Sequence, residues 1–309
     1  MTLPVQPTPT WTPAASAGWA ASVLFRETAL ADLGDALLAA ADLRAGERVL
    51  EIGSGAGGLA CRMAETVGPI GSVVGIDISP ELNAIATRRA AGIGHLRFET
   101  ADAQTVALPD APFDRLVSRL GIMFFADAAA ALAHLRALLR PGARLDVAVW
   151  DAIALNPWAD VVLAVCRRHL PLPPRQPRPT GAFAFSELPH FGHVLETAGF
   201  ADVACRAWRR DLPMGGPGEP LHAVARQLLP PGVVTTVFLQ APPHVQAALI
   251  DDLALALEPF ASAAGVRMPA AVHLVSAAVP HFNSARRKLM RRFQSGSFSA
   301  ATSRSTTIS

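Results

Sequence analysis

Between residues 48 and 150 the chain alternates short apolar runs with longer amphipathic stretches. Residues 48–52, 72–78, 95–99, 113–118 and 144–150 have the length and the branched apolar content of strands. Residues 57–67, 80–91 and 126–139 instead carry apolar positions at helical spacing. Ser79 stands where it can cap the second of these helices, and Pro141-Gly142 where the third must stop. Strands alternating with helices predict an α/β fold, a parallel sheet with helices on both faces. Ahead of it, Leu30, Leu33, Leu37 and Leu38 recur on one face and predict a helix over residues 18–41, after a Pro-rich extended arm at 1–15.

Beyond residue 150 the rhythm breaks. Residues 171–180 form a Pro-rich loop, 185–198 a helix ended by Gly199, and 201–209 a strand. Helical pieces punctuated by Pro and Gly fill 211–269, and 270–279 reads as a final strand. Residues 280–309 hold a basic run at 286–292 and a Ser/Thr-rich end. The organisation read from these shifts is an arm and helix (1–41), a core (42–210), a helical insertion (211–269), a last core strand (270–279) and a tail (280–309).

Half of the 309 residues, 51%, are hydrophobic and 17% are charged, which excludes a disordered chain. A net charge of +2 gives no global electrostatic grip on nucleic acid, and the run at 286–292 reads as a solvated helix face. The 27 basic residues include a single lysine, Lys288, a skew that with the heavy Ala and Pro usage reads as GC-rich bacterial coding bias. Cys61, Cys166 and Cys205 contain no CxxC, so buried free thiols are expected rather than a zinc site or a disulfide framework. No uncharged apolar run reaches the ~18 residues of a membrane span. The first 25 residues contain four prolines and no basic segment, unlike a signal peptide. A cytoplasmic protein without stable membrane insertion is expected.

The candidate chemistry lies in the segment 49–58, VLEIGSGAGG. A strand runs through glycines into a helix, so a ligand can approach the backbone beside the unpaired N–H groups of the helix start. Gly53, Gly55 and Gly58 satisfy the dinucleotide pattern GxGxxG, and Gly53, Gly55 and Gly57 satisfy GxGxG; the loop alone leaves both open. Glu51 puts a carboxylate two residues ahead of Gly53, which favours a cationic ligand group over a pyrophosphate. Asp77 ends the next apolar run, about twenty residues past Gly57, where an acid can accept two ribose hydroxyls. Asp102 opens a loop after the third strand, within reach of an adenine edge. Taken singly, each acid also has a plain structural use, as an ion pair, a cap or a solvated loop side chain. Together they describe a pocket for an adenosine bearing a cationic group, and S-adenosylmethionine fits it.

With residues 74–77 (VGID), 113–125 (FDRLVSRLGIMFF), 138–142 (LLRPG) and 156–158 (NPW), the chain resembles the class I S-adenosylmethionine-dependent methyltransferases, specifically the bacterial small-molecule group related to the ubiquinone/menaquinone C-methyltransferases. The resemblance covers roughly residues 40–210, with 269–276 as its last strand. It implies a Rossmann-like, seven-stranded, mostly parallel sheet with helices on both faces and a helical lid insertion. It also implies cofactor contacts from Glu51, Gly53, Ser54, Gly55 and Gly57, from Asp77 and Ile78 at the ribose, from Asp102 and Ala103 at adenine, and from Ser118 near the sulfonium. The chain has no tyrosine, so aromatic contacts to the cofactor must come from residues such as Trp11, Trp19 or Phe124.

In-line methyl transfer needs alignment and exclusion of water more than a catalytic group. Were the acceptor an alcohol, a positioned base would be needed; His190, His193 and His222 are the candidates, each more readily read as a surface or packing histidine. Arg119 could pair with an anionic acceptor or serve a structural ion pair. No acidic cluster is spaced as a metal site. Segments 151–190 and 211–269, with Phe183, Phe185, Val233, Val234, Val237 and Phe238, predict a lid over a hydrophobic acceptor pocket. The expected partners are a small-molecule acceptor, no nucleic acid and, left open, a second copy of the chain. A nicotinamide-dependent oxidoreductase and a non-catalytic protein of the same fold are the competing readings.

Overall fold

The computed structural model describes residues 12–172 and 180–281. The five apolar runs of the first half form β1 (Arg48–Ile52), β2 (Ser72–Asp77), β3 (Leu96–Thr100), β4 (Phe113–Arg119) and β5 (Leu139–Trp150). They lie parallel in the order β3-β2-β1-β4-β5. Every residue of β1 after Arg48 is buried, and so is all of β2 after Ser72. Continuous burial of this kind is what a parallel sheet covered on both faces requires. Three helices precede the sheet: α1 (Pro13–Ala21), α2 (Val23–Ala29) and α3 (Ala31–Ala41). Then α4 (Gly58–Val67), α5 (Pro80–Arg89) and α6 (Ala128–Ala137) connect strands, and α7 (Pro157–His169) and α8 (Leu188–Thr197) follow β5. Ser79 caps α5 as its position predicts, its Oγ accepting the Leu82 amide at 3.2 Å.

The far side of the sheet is an antiparallel ribbon. β6 (Ala201–Gly215) pairs with β8 (Gly265–Ala278), which runs antiparallel beside β5. Between β6 and β8 the chain forms α9 (Leu221–Leu228), α10 (Val233–Gln240), α11 (Pro243–Leu257) and the two-residue β7 (Ala261–Ser262). β7 pairs with β8 and makes an eighth strand beyond the seven expected.

Four expectations are corrected. The single helix over 18–41 is three helices, broken at Ser22, whose hydroxyl donates back to Gly18 O at 2.8 Å, and at Leu30. The extended arm gives way at Thr12, which caps α1 by accepting the Ala15 amide, with Pro13 in the first turn where its missing N–H does no harm; residues 1–11, Trp11 among them, lie outside the described residues. Pro141-Gly142 does not merely stop a helix. Residues 139–142 already belong to β5, with a register shift opposite Phe113 that accommodates the exposed proline, and Gly142 N–H donates to Val279 O at 2.9 Å. The strand expected to end at 209 continues to Gly215, because Leu212 and Met214 stay buried against Val266 and Met268 of an equally lengthened partner strand. Of the cysteines, Cys166 is buried and Cys61 half-buried, while Cys205 is exposed on the edge strand β6. Among the described residues no helix is long and apolar enough to cross a membrane. The basic run at 286–292 and the tail to 309, like residues 173–179 of the Pro-rich loop, lie outside the described residues.

Candidate active site

β1 ends at Ile52 and the chain turns through residues 53–57 into α4. Gly53 and Ser54 amides both donate to Ile76 O, at 2.8 and 3.1 Å, and hook the loop onto β2. Asp77, at the end of β2, accepts Gly55 N–H on Oδ2 at 2.8 Å and Ser79 N–H on Oδ1 at 2.9 Å. Gly53 has φ +71°, and a Cβ there would lie 2.8 Å from Gly121 Cα, so only a glycine lets the ends of β1 and β4 approach this closely. A cavity of about 170 Å³ opens above the loop.

Glu51, Gly53, Ser54, Gly55, Asp77, Ile78, Asp102 and Ala103 all line this cavity, as does Arg119. Two of the expected contact residues stand off it. Gly57 faces the helix layer, where a Cβ would meet Phe98 and Ala86. Ser118 is fully buried; its Oγ donates to Ile52 O at 2.7 Å and accepts Gly121 N–H at 3.2 Å, so it ties the ends of β4 and β1 together.

Charge is concentrated at the buried end. Glu51 is 2% exposed, and its Oε2 has no hydrogen-bond partner among the described residues. Burial pushes its carboxyl up to about 8, with Arg119 opposing and Asp77 adding to the rise. Asp77 is likewise held above its ordinary value by burial, against the backbone N–H bonds it accepts. Burial lowers Arg119, whose guanidinium donates to Leu30 O at 3.1 Å. At the rim, Asp102 accepts the Gln104 backbone amide at 2.9 Å, and Gln104 Oε1 accepts the Ala126 amide. An orphaned buried carboxyl oxygen, a glycine cradle and a strand-end carboxylate fit the ammonium and ribose of S-adenosylmethionine. A pyrophosphate would face two acids there.

A second cavity of about 270 Å³ adjoins the first and shares Trp19, Arg26, Leu30, Leu120 and Phe124 with it. Apart from Gln227, the rest of its described wall is apolar, with Phe25, Met123, Trp150, Trp158, Phe183 and Leu212. Leu120 holds φ +65°, a left-handed conformation that side chains avoid, at the point where the cavities meet. Trp158 is fixed by its Nε1 donating to Asn156 Oδ1 at 3.0 Å, and it packs 4.6 Å from Trp150. Asn156 is fully buried and also accepts Ala271 N–H at 3.0 Å.

Of the residues expected around an acceptor, Phe183 lines the second cavity. Phe185 is instead buried in the core, stacked 4.3 Å from Phe191; Phe238 is buried, and Val233 is 62% exposed. Val234 and Val237 pack against the core away from both cavities. His190 and His193 lie on the exposed face of α8, and exposed His222 contacts Asp251 at 3.1 Å; no histidine lines either cavity. Arg119 reaches only the first cavity. Sequence reasoning missed Arg26 and Glu27 on α2. Glu27 and Arg89 form a bidentate ion pair, and Arg89 also donates to Ala56 O at 2.9 Å, which fastens α2 to the glycine loop. Only the fold brings residues so far apart in sequence together.

A methyltransferase-domain family profile matches residues 49–142. The chain is 32% identical over 203 residues to nocamycin O-methyltransferase of Saccharothrix syringae, covering 59% of this chain and 68% of that one. It is 40% identical over 105 residues to demethylmenaquinone methyltransferase of Thermus thermophilus, covering 34% of this chain and 47% of that one. The match spans 46% of several uncharacterized mycobacterial proteins, so the chain covers about half the length of these curated relatives. Among solved structures, the [4+2]-cyclase SpnF superposes with a TM-score of 0.52 at 17% identity, over 88% of this chain and 98% of that one, a likeness of fold. With its glycine loop, strand-end acids and sheet order, the chain belongs to the class I S-adenosylmethionine-dependent methyltransferases.

Proposed function

We propose that the protein transfers a methyl group from S-adenosylmethionine to a small, hydrophobic or aromatic acceptor of the quinone or secondary-metabolite type. The observation that carries this reading is the apolar second cavity, which meets the cofactor cavity along Trp19, Leu120 and Phe124. Relatives named for nocamycin and demethylmenaquinone support a small-molecule acceptor.

When bound, S-adenosylmethionine supplies a methyl group on a sulfonium sulfur that departs as a neutral thioether. In this reading Glu51 holds the ammonium, Asp77 accepts the ribose hydroxyls, and Asp102 and Ala103 flank adenine. Ser118 acts indirectly, by fixing Gly121 and the end of β1. Trp19 and Phe124 close the junction against water, and the aromatic wall orients the acceptor. Since neither lining contains a histidine, an acceptor whose oxygen or carbon is already acidic suits the site better than a simple alcohol. A bacterial, cytoplasmic setting accompanies the reading, and a homodimer is the assembly to test by sedimentation. Methyl transfer is tested by incubating the protein with S-adenosylmethionine and panels of phenols, quinols, enols and amines. A product one methylene heavier, formed in step with S-adenosylhomocysteine, is expected; no product from any panel would count against the reading.

A further inference from the structure

Arg26 stands at the seam of the two cavities and lines both. Among the described residues it is the only charged side chain in the lining of the second. Its Nε donates to Ser22 Oγ at 2.8 Å, and its guanidinium lies 4.1 Å over the Trp19 ring. Among the described residues no carboxylate pairs with it. Its sequence neighbour Glu27 is engaged by Arg89, and Arg119, the other cation of the first cavity, sits below α2 against Leu30 O. Burial draws the Arg26 guanidinium down to about 10, with no nearby acid to offset it. An arginine stacked on an indole and held through Nε leaves its terminal nitrogens for a planar, charged oxygen group.

We propose that Arg26 sets the charge of the acceptor: the second cavity takes an apolar, ring-bearing anion whose ionised oxygen, a carboxylate, phenolate or enolate, pairs with Arg26. The proposal rests on the methyl-transfer reading of the site and adds the substrate class to it. It also fits the linings without a histidine, because where the ionised oxygen is itself the nucleophile there is no proton to remove. Where that oxygen is the nucleophile, the oxygen–carbon bond forms as the carbon–sulfur bond breaks, and the electron pair stays on sulfur. The negative charge of the acceptor and the positive charge of the sulfonium then cancel without a proton transfer.

The test is calorimetric titration of the full chain, saturated with S-adenosylhomocysteine, with naphthoate and with its uncharged analogue naphthamide. Saturation fills the cofactor's own carboxylate site, so the probes report on the acceptor side. Expected is naphthoate binding at least tenfold tighter than naphthamide, a preference that R26Q reduces to within twofold and R26K largely keeps. Equal affinity for the two probes, no binding of naphthoate, or an undiminished preference in R26Q would overturn the proposal. So would a tenfold loss of S-adenosylhomocysteine affinity in R26Q, which would assign Arg26 to the cofactor's carboxylate. If R26Q does not fold, the R26K and wild-type preferences decide. Failure of S-adenosylhomocysteine to bind the wild-type protein would overturn the cofactor reading itself, a result distinct from loss of the naphthoate preference.

Discussion

Asp77 accepts the Gly55 amide at 2.8 Å, so the carboxylate that lines the first cavity also fixes the loop that floors it. Its other oxygen is engaged by Ser79 N–H. Asp77→Ala therefore removes a ligand contact and loosens the loop together. The expected outcome is at least a tenfold rise in the Kd for S-adenosylmethionine, about 1.4 kcal/mol. Asp77→Asn should rescue little, because its amide nitrogen must meet one of two backbone donors. Calorimetry on both variants, with circular dichroism to verify folding, checks this; wild-type affinity in folded Asp77→Ala would remove Asp77 from the site.

On the proposed reading, Glu51 should link cofactor binding to pH. Its carboxyl, raised to about 8 by burial, is mostly neutral at pH 7, whereas a bound ammonium favours the ionised form. Binding should release a proton, and affinity should climb as pH rises toward 8 and then level. Titrations in buffers of different ionisation enthalpy measure the proton directly, and Glu51→Gln should abolish both its release and the pH dependence. The effect on stability has the opposite sense. A folded-state pKa above the unfolded one gives stability that is complete below about 4.5 and lost as pH passes about 8. Above pH 8 the ligand-free Glu51→Gln variant should accordingly melt higher than wild type.

Gly57 matters for folding rather than for ligand contact. With φ +79°, a Cβ there would fall 2.6 Å from the Phe98 ring and 2.9 Å from Ala86 Cβ. Left-handed strain and overpacking together suggest a loss of about 2–4 kcal/mol for Gly57→Ala. Urea unfolding of the ligand-free protein measures it, and a change under 1 kcal/mol would show that the α4–α5 contact relaxes easily.

Asn156 joins the fold to the wall of the second cavity. Its side chain accepts from Trp158 Nε1 and Ala271 N and donates to the carbonyls of Asp151, Ala152 and Ala271. Asn156→Ala strands buried donors and should remove at least about 2 kcal/mol of stability. Once Trp158 is released, acceptor KM should rise more than the Kd for S-adenosylmethionine. Equal effects on the two would mean that Trp158 does not shape the acceptor cavity.

The parallel half of the sheet was readable because each strand and helix carries its own periodicity and cap, as at Ser79. Three of the acids lining the first cavity were readable for a related reason: Glu51, Asp77 and Asp102 sit at or just past strand ends, and a parallel sheet brings those ends to one edge. The acceptor side offered no such rule. Its wall draws on Phe25, Trp150, Phe183 and Leu212, distant in sequence, and Phe185, two residues from Phe183, turns into the core instead. His190 and His193 belong to a helix whose buried face is Phe191, Val194 and Leu195, an orientation set by tertiary packing. Arg26 and Glu27 carry no local mark, because their meaning comes from cavities and partners that exist only in the folded chain.

The most direct measurement is calorimetric titration of the purified protein with S-adenosylmethionine, S-adenosylhomocysteine and NADH in parallel. Micromolar binding of the first two and none of NADH is the expected result. Binding of NADH alone would contradict the assignment of the glycine loop, Glu51 and Asp77 to a sulfonium-bearing nucleoside and make the site one for a nicotinamide dinucleotide.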